Sequence, residues 1–388
     1  MNGNFEYHNT TKLIFGPDSL DKLSKELENV GNNVLLVYGS GSIKKTGLYD
    51  KVINILNSCG KNVAEDSGVM SNPTTDKLYE GIKRARAHHT DFILAVGGGS
   101  VIDYTKALAA SVNFDGDPWE EYYVKFNEPC VKIIPHGNIL TMCGTGSEAN
   151  GGAVITNSCN HLKIGHVFDS NNLPKFAILN PILTYTVPEY QMSAGIFDTM
   201  SHIMEQYFSD HDDSTSDYIM EGLMRSLVAS SKVAIKDSNN YEARSNIMWT
   251  STLALNTLVG CGKTQDWMVH MIGQSIGGVT NATHGMTLSA ISYAYYNYLL
   301  NFEVDKFARF AHNVFDVSTT EDKLYIAKEG LNRLLEWMKE IKVVTSLKDI
   351  NVDESKFDDI IKGTLISKGT GYHDFNEEEI RLILKNSL

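Results

Sequence analysis

The sequence predicts an α/β domain followed by an all-helical one. Three observations carry that expectation. Short apolar runs alternate with helical periodicity through the first half, two of those runs end in glycine-rich turns, and beyond about residue 185 stretches of helical spacing follow one another while β-branched runs become rare. The expected division is 1–185 for the α/β part and 186–388 for the helical part. The chain has 388 residues, enough for about two cores at roughly 100–200 residues each.

In order along the chain, residues 34–38, 92–96, 131–135, 153–156 and 176–179 read as strands. Fully apolar runs of this length suit strands covered on both faces, as in a parallel sheet. Between them residues 76–88 carry apolar positions Leu78, Ile82 and Ala85 at helical spacing. After Pro181 and Pro188 the clearest helices are 218–234, 241–260, 288–300 and 324–339.

Composition narrows the function classes. Lys and Arg number 34 against 47 Asp and Glu, a net charge of −13, which leaves no basic face for nucleic acid or anionic lipid. No run of about 18 apolar residues occurs, and Met1-Asn2-Gly3-Asn4-Phe5-Glu6 has neither the basic nor the apolar stretch of a leader. Cys59, Cys130, Cys143, Cys159 and Cys261 are odd in number and without a CxxC pair, pointing away from a disulfide framework or a thiolate zinc site and toward a reducing compartment. The expectation is an acidic, soluble, cytoplasmic protein.

Gly97-Gly98-Gly99-Ser100 follows a strand and opens a helix. Glycines there let backbone N–H groups approach a pyrophosphate, and the helix N-terminus adds partial positive charge. Ser100 with Asp103 has capping-box spacing, Asp103 is counted with Gly97, Gly98, Gly99 and Ser100 among the expected cofactor-binding residues, and Lys106 one turn on reaches either a phosphate or solvent. Gly39-Ser40-Gly41-Ser42-Ile43-Lys44-Lys45 closes the first strand in the same way. Serine hydroxyls and lysines stand where an NAD-selective site has a carboxylate, which inclines the reading toward NADP(H) over NAD(H). A third segment, 140–148, carries Thr141 and Thr145 as hydrogen-bonding partners for a flat ring lying against its glycines.

Of the 12 histidines, His8, His88, His89, His211, His312 and His373 sit in polar stretches, and His136, His161 and His166 fit no pattern. Four residues do fit one. Asp198 and His202, four apart, share a helix face, while His270 and His284 lie in apolar, glycine-rich surroundings unusual for water-facing imidazoles. Three imidazoles and one carboxylate form a nitrogen/oxygen donor set suited to a divalent transition metal, Fe(II) or Zn(II).

With these segments the chain resembles the iron-dependent (group III) alcohol dehydrogenase family, in particular its butanol dehydrogenases and broad-range NADPH-dependent aldehyde reductases. The most specific portions are Tyr38-Gly39-Ser40-Gly41-Ser42-Ile43-Lys44, Gly97 to Asp103, Gly144-Thr145-Gly146-Ser147-Glu148, Ala194 to His202, and His270 to His284. The resemblance implies a Rossmann-like dinucleotide-binding domain joined to an all-α metal-binding domain, the dehydroquinate synthase-like fold. It implies Asp198, His202, His270 and His284 as the metal ligands. It places Gly98, Gly99 and Ser100 on the pyrophosphate, Thr141, Thr145 and Lys163 along the ribose and nicotinamide, and Asn72 in an Asn-Pro loop beside the cofactor. The resemblance also implies a homodimer or larger homo-oligomer, as is common in the family. One departure stands out: four residues after the third ligand the family usually has a histidine, and here there is Gln274, which hydrogen-bonds but exchanges no proton near neutral pH.

The expected reaction is hydride transfer between NAD(P)H and a small aliphatic aldehyde or primary alcohol, with Trp267 walling the pocket and Met268 and Met271 either joining it or, the plainer reading, packing in the core. Two other classes are weighed. A lyase of the dehydroquinate synthase type, using NAD and a divalent metal, must grip an acidic phosphate-bearing substrate, yet residues 191–210 and 265–300 contain no Arg or Lys. A non-enzymatic metal- or nucleotide-binding protein is the third, suggested by Gln274.

Overall fold

The computed structural model describes residues 3–209, 214–366, 369 and 371–388; His211 lies outside them. The chain divides into two compact units. One is His8–Val187, and the other is Pro188–Leu388 together with the described residues before His8.

The first unit runs β1 (Lys12–Phe15), α1 (Leu23–Leu27), β2 (Asn33–Gly39), α2 (Ser42–Lys45), α3 (Leu48–Ser58), β3 (Asn62–Val69), α4 (Thr75–Ala87), β4 (Phe92–Gly97), α5 (Gly99–Ser111), β5 (His136–Leu140), β6 (Gly152–Asn157), β7 (Leu162–Val167) and β8 (Phe176–Leu179). Among the described residues it holds a six-stranded sheet in the order β1-β8-β5-β4-β2-β3. Every neighbouring pair is parallel. The apolar residues of β2 and β4 are fully buried, as strands covered on both faces require, and the sheet meets the helices in a core of Leu36, Val52, Leu94 and Ile178.

Two expected strands are corrected. Residues 131–135 are not a strand: Pro135 has no N–H to give a ladder, and the strand begins one residue later at His136. Residues 153–156 do lie in a strand, but β6 pairs antiparallel with β7 outside the main sheet, so only alternate residues are buried. Besides β5, three strands went unpredicted. β1 and β3 are the edges of the sheet, where polar residues are tolerated, and β7 is the outer half of a hairpin.

The second unit is helical: α6 (Glu189–Tyr207), α7 (Thr215–Lys236), α8 (Tyr241–Ala254), α9 (Met268–Thr280), α10 (His284–Leu299), α11 (Asp305–Phe315), α12 (Lys323–Glu340), α13 (Phe357–Thr364) and α14 (Glu377–Asn386). The helix expected over 241–260 stops at Ala254, and turns carry the chain to α9. The core centres on α6, where Phe197, Met200, Ile203 and Tyr207 are fully buried, and Phe208 just beyond stacks on Phe307 at 4.0 Å. Gly3 joins this unit by donating its N–H to the Gly262 carbonyl at 2.8 Å. No helix among the described residues is long and apolar enough to cross a membrane.

Candidate metal centre and dinucleotide loops

α6 is buried along nearly its whole length, so its polar residues are held inside the helical unit. At the 3.6-residue period Asp198, His202 and Glu205 share one face. α9 starts after Trp267, which turns the chain with a left-handed φ of 62°, and brings in His270. His284 is the first residue of α10. That start lies hard against α6: a Cβ on Gly285 would stand 2.0 Å from the Ala194 carbonyl oxygen, so the approach is open only to glycine.

The three helices converge on one carboxylate oxygen. Asp198 Oδ1 lies 3.6 Å from His270 Nε2, 3.7 Å from His284 Nε2 and 3.8 Å from His202 Nε2. These distances are too long for hydrogen bonds. They are close to the roughly 3.5 Å that separates two ligand atoms each about 2.1 Å from one tetrahedral ion. Among the described residues, Asp198 Oδ1 and His270 Nε2 are enclosed yet hydrogen-bond to nothing. Leaving such atoms unpaired costs about 1–3 kcal/mol each, which ligation of a cation removes. Three nitrogen donors and one carboxylate oxygen at this spacing, two of the four atoms buried and orphaned, fit a divalent transition metal.

The electrostatics agree. Burial alone would push the Asp198 carboxyl up, but His202, His270 and His284 together outweigh it and hold it well below the usual carboxylate range. Burial would lower His270, yet the Glu205 and Asp198 carboxylates push it up to about 9. Trp267 lies edge-on to His202 and His270, with ring centres at 6.1 and 5.2 Å. Met268 is fully buried, in line with the core-packing reading, and Met271 is half-buried. Gln274, one turn beyond His270 on α9, is buried.

Glu205 is the polar residue here that the sequence reading missed. It is fully buried; Oε1 pairs with His270 Nδ1, and Oε2 accepts the His270 backbone N–H at 3.2 Å. Ser201 Oγ donates to Oε1 at 3.1 Å. The signal was present as 198-202-205, a four-then-three spacing on one helix face. Glu205's backbone oxygen also accepts the Asp266 N–H at 2.9 Å. Burial, then the Glu205 charge, push the Asp266 carboxyl up to about 8.

In the α/β unit, β4 ends at Gly97 and α5 begins at Gly99, with Gly98 as an N-cap that makes no side-chain cap. The expected Ser100–Asp103 capping box is absent, because the helix starts at Gly99, two residues early, and Ser100 already stands inside it. Ser100 Oγ instead donates to the Ser71 carbonyl at 2.5 Å, next to the buried Asn72. Asp103 accepts the Ser147 hydroxyl and, at 3.1 Å, the Val154 N–H. Lys106 faces neither phosphate nor solvent. It is fully buried and donates to the Ser147 and Asn150 carbonyls at 3.1 and 3.2 Å and to Asn150 Oδ1 at 3.0 Å. Burial pulls its amine down to about 8 although Asp103 and Glu148 oppose the shift.

The glycine loops do come together around the start of α5. A Cβ on Gly99 would stand 2.3 Å from Thr145 Cγ2, so Thr145 lies directly on the helix N-terminus. Thr141 donates its N–H to the Gly97 carbonyl at 2.9 Å. Lys163, on β7 opposite Thr156, is within electrostatic reach of Asp103. At the end of β2, Gly39 is followed by the exposed Ser40 and Ser42. The sequence reading found no carboxylate at this strand end, but β3 supplies one: Lys44 Nζ sits 3.9 Å from Glu65 Oε2 and 4.4 Å above the Tyr49 ring. Both Tyr38 and Tyr49 donate their hydroxyls to Glu65, the latter at 2.7 Å.

Residues 10–181 match the family model for iron-containing alcohol dehydrogenase, and residues 192–388 match that for the C-terminal part of the Fe-containing alcohol dehydrogenase family. The chain is 38% identical over 395 residues to a probable NADH-dependent butanol dehydrogenase of Bacillus subtilis (strain 168), covering 99% of this chain and 100% of the relative. It is 34% identical to the NADPH-dependent aldehyde reductase YqhD of Escherichia coli (strain K12), with 92% of each chain covered. Among solved structures, an NADH-dependent butanol dehydrogenase A from Thermotoga maritima superposes with a TM-score of 0.94 at 33% identity, covering 99% of this chain and 98% of that one.

Proposed function

The chain belongs to the iron-containing alcohol dehydrogenase family, and on that premise we propose that Asp198, His202, His270 and His284 hold its iron while the loops around α5 hold NAD(P)H. The enzyme is an NAD(P)-dependent alcohol dehydrogenase and aldehyde reductase. The observation that carries the site assignment is the convergence of three imidazole nitrogens on Asp198 Oδ1 at 3.6–3.8 Å, with two of the four atoms buried and orphaned. A divalent iron bound there supplies a Lewis acid that polarises the carbonyl oxygen and steadies charge developing on it. The nicotinamide supplies or accepts the hydride.

The chain's own residues do the rest. The α5 N-terminus, behind Gly97, Gly98 and Gly99, presents N–H groups that a helix leaves without internal partners, a seat for a pyrophosphate. Thr141 and Thr145, held on that helix start, are positioned for the ribose and nicotinamide, with Asn72 and Lys163 flanking. Gly39, Ser40 and Ser42 offer hydroxyls and backbone to the adenosine ribose, and Lys44 tolerates a 2′-phosphate there. Asp103, expected as a cofactor contact, is assigned instead to holding the loop that carries Ser147. Trp267 walls the metal centre, which favours short alkyl aldehydes. Gln274 orients a substrate or water by hydrogen bonding and passes the proton-transfer task to water and the cofactor's ribose. We assign the protein to the cytoplasm and to a homodimer or larger homo-oligomer.

The test is consumption of reduced nicotinamide, followed by absorbance with butyraldehyde and each cofactor, alongside metal analysis of the purified enzyme. Steady consumption that disappears with the metal and returns with Fe(II) is expected. Turnover by metal-free protein would overturn the assignment.

A further inference from the structure

We propose that Glu205 is a positioning residue for the metal centre, acting through His270: it fixes which nitrogen of that ring carries the proton and where the other nitrogen points. The inference rests on the metal reading above.

The geometry is that of a two-point clamp. One carboxylate grips both the backbone N–H of His270, at 3.2 Å, and the ring's Nδ1. Holding the main chain and the ring of one residue with one rigid group leaves the imidazole little freedom to rotate. Accepting the Nδ1 proton settles the tautomer, so the lone pair belongs to Nε2. Nε2 is the atom that stands 3.6 Å from Asp198 Oδ1 and hydrogen-bonds to nothing among the described residues. The clamp is itself clamped: Ser201, one turn back on α6, donates to Oε1 at 3.1 Å, and the Glu205 backbone oxygen anchors the Asp266 N–H at 2.9 Å, just ahead of the turn that starts α9.

Charge gives an independent argument. Glu205 is fully buried and Asp198 nearly so. An isolated buried carboxylate is expensive, and these two sit with neutral imidazoles once a metal is bound. Two carboxylates and one dication sum to zero, so the arrangement is matched to a divalent ion. A site with Asp198 as its sole acid would carry a net positive charge in a dry interior.

The experiment uses the full-length protein stripped of metal and reloaded with Co(II), whose visible absorption reports the ligand field. Glu205→Gln keeps the shape but replaces one acceptor with a donor facing the His270 N–H or ring. Glu205→Asp keeps the charge but withdraws the carboxylate by one methylene. Both are expected to weaken Co(II) affinity about 10- to 100-fold, the usual cost of losing a group behind a ligand, and to shift the Co(II) spectrum. In a His270→Ala background the same changes should cost little more, because the clamp has nothing left to hold. Wild-type affinity and spectrum in both variants, or losses from Glu205 and His270 that simply multiply, overturn the proposal. Glu205→Asp matching wild type while Glu205→Gln fails would also overturn it, since charge without positioning would then suffice. If the wild-type chain itself takes up no Co(II), the metal reading fails first, and the two failures are told apart.

Discussion

The polar clusters around Lys106 in one unit and Asp198 in the other differ in one respect, and the difference separates a candidate site from scaffold. In the α/β unit Lys106 has three hydrogen-bond acceptors and Asp103 two donors, all supplied by the chain. That network is complete without a ligand and ties α5 to the segment around Ser147 and Asn150. In the helical unit Asp198 Oδ1 and His270 Nε2 have no hydrogen-bond partner among the described residues, although they are as deeply enclosed. Burying a polar atom is tolerated when something pairs with it. Where the chain supplies the partners, as at Lys106, the network is structural; a lone orphaned atom, such as His136 Nδ1, makes no site, whereas two facing each other among four converging donors, as at Asp198, suit a ligand.

The strongest way to break that distinction is Asp198→Ala. Removing the oxygen on which all three imidazoles converge should cost more than the roughly 10–100-fold typical of a residue behind a ligand. Metal content and kcat/KM should fall together while the apo protein stays folded. Full activity in protein shown by elemental analysis to hold no metal would sink the contrast.

His136 tests the scaffold side. It is fully buried, its Nε2 lies 3.2 Å from both the Asn172 carbonyl and Oδ1, and burial, then the nearby Lys106 charge, lower its ring to about 4. The folded pKa is below the unfolded value of about 6.5, so the unfolded chain binds the extra proton first. The stability contributed by the neutral ring is therefore complete above pH 6.5 and drains away as the pH falls toward 4. Relative to pH 8, the loss at pH 5 is about 2 kcal/mol. Urea unfolding of wild type and His136→Asn across pH 5–8 should show this as a steeper acid decline in wild type. Parallel curves would show the ring to be solvated.

How much of this was legible beforehand follows from the same distinction. The four converging side chains could be read because they carry their identity in spacing: 198 and 202 on one face, and two more histidines in apolar surroundings. Strands β2, β4 and β8 announced themselves as apolar runs, the usual composition of a parallel strand covered on both sides, whereas the equally buried β5, with His136, Gly137 and Asn138, did not. What escaped was whatever depended on partners distant in sequence. Lys106 looks like a phosphate contact until Ser147 and Asn150, about forty positions away, are seen to enclose it. Ser100 and Asp103 have the spacing of a cap, but Ser71 and Val154 claim them. Glu205 has no meaning until α9 brings His270 beside it. β3 is polar because it is an edge, a property of the sheet and not of the segment.

Gly99→Ala sharpens the comparison from the dinucleotide side. The new Cβ would sit 2.3 Å from Thr145 Cγ2 and 2.4 Å from its Oγ1, so the loop must shift off the start of α5. A displacement of that kind at a contact surface for pyrophosphate should raise KM for the cofactor about 10-fold, with metal content unchanged. Pairing it with Thr145→Gly should relieve the clash and recover part of the loss. An unchanged KM in the single variant would show that the glycine loop does not meet the cofactor.

Lys44 carries the smallest effect and the finest question, which cofactor is preferred. Its side chain is half exposed, rests above the rings of Tyr38 and Tyr49, and has Glu65 within 3.9 Å. Glu65 therefore shares the charge that a 2′-phosphate would otherwise have to itself, and solvent screens what remains. A contact between exposed charges shifts affinity only slightly, by roughly 1.5- to 5-fold. Lys44→Ala should raise KM for NADPH by that factor and leave KM for NADH where it is, and the gap should close as salt is added. An equal rise for both cofactors would mean that Lys44 serves only to hold α2 on its two tyrosines. The serine hydroxyls of the Gly39–Ser42 turn would then be left as the features on this edge that distinguish the two.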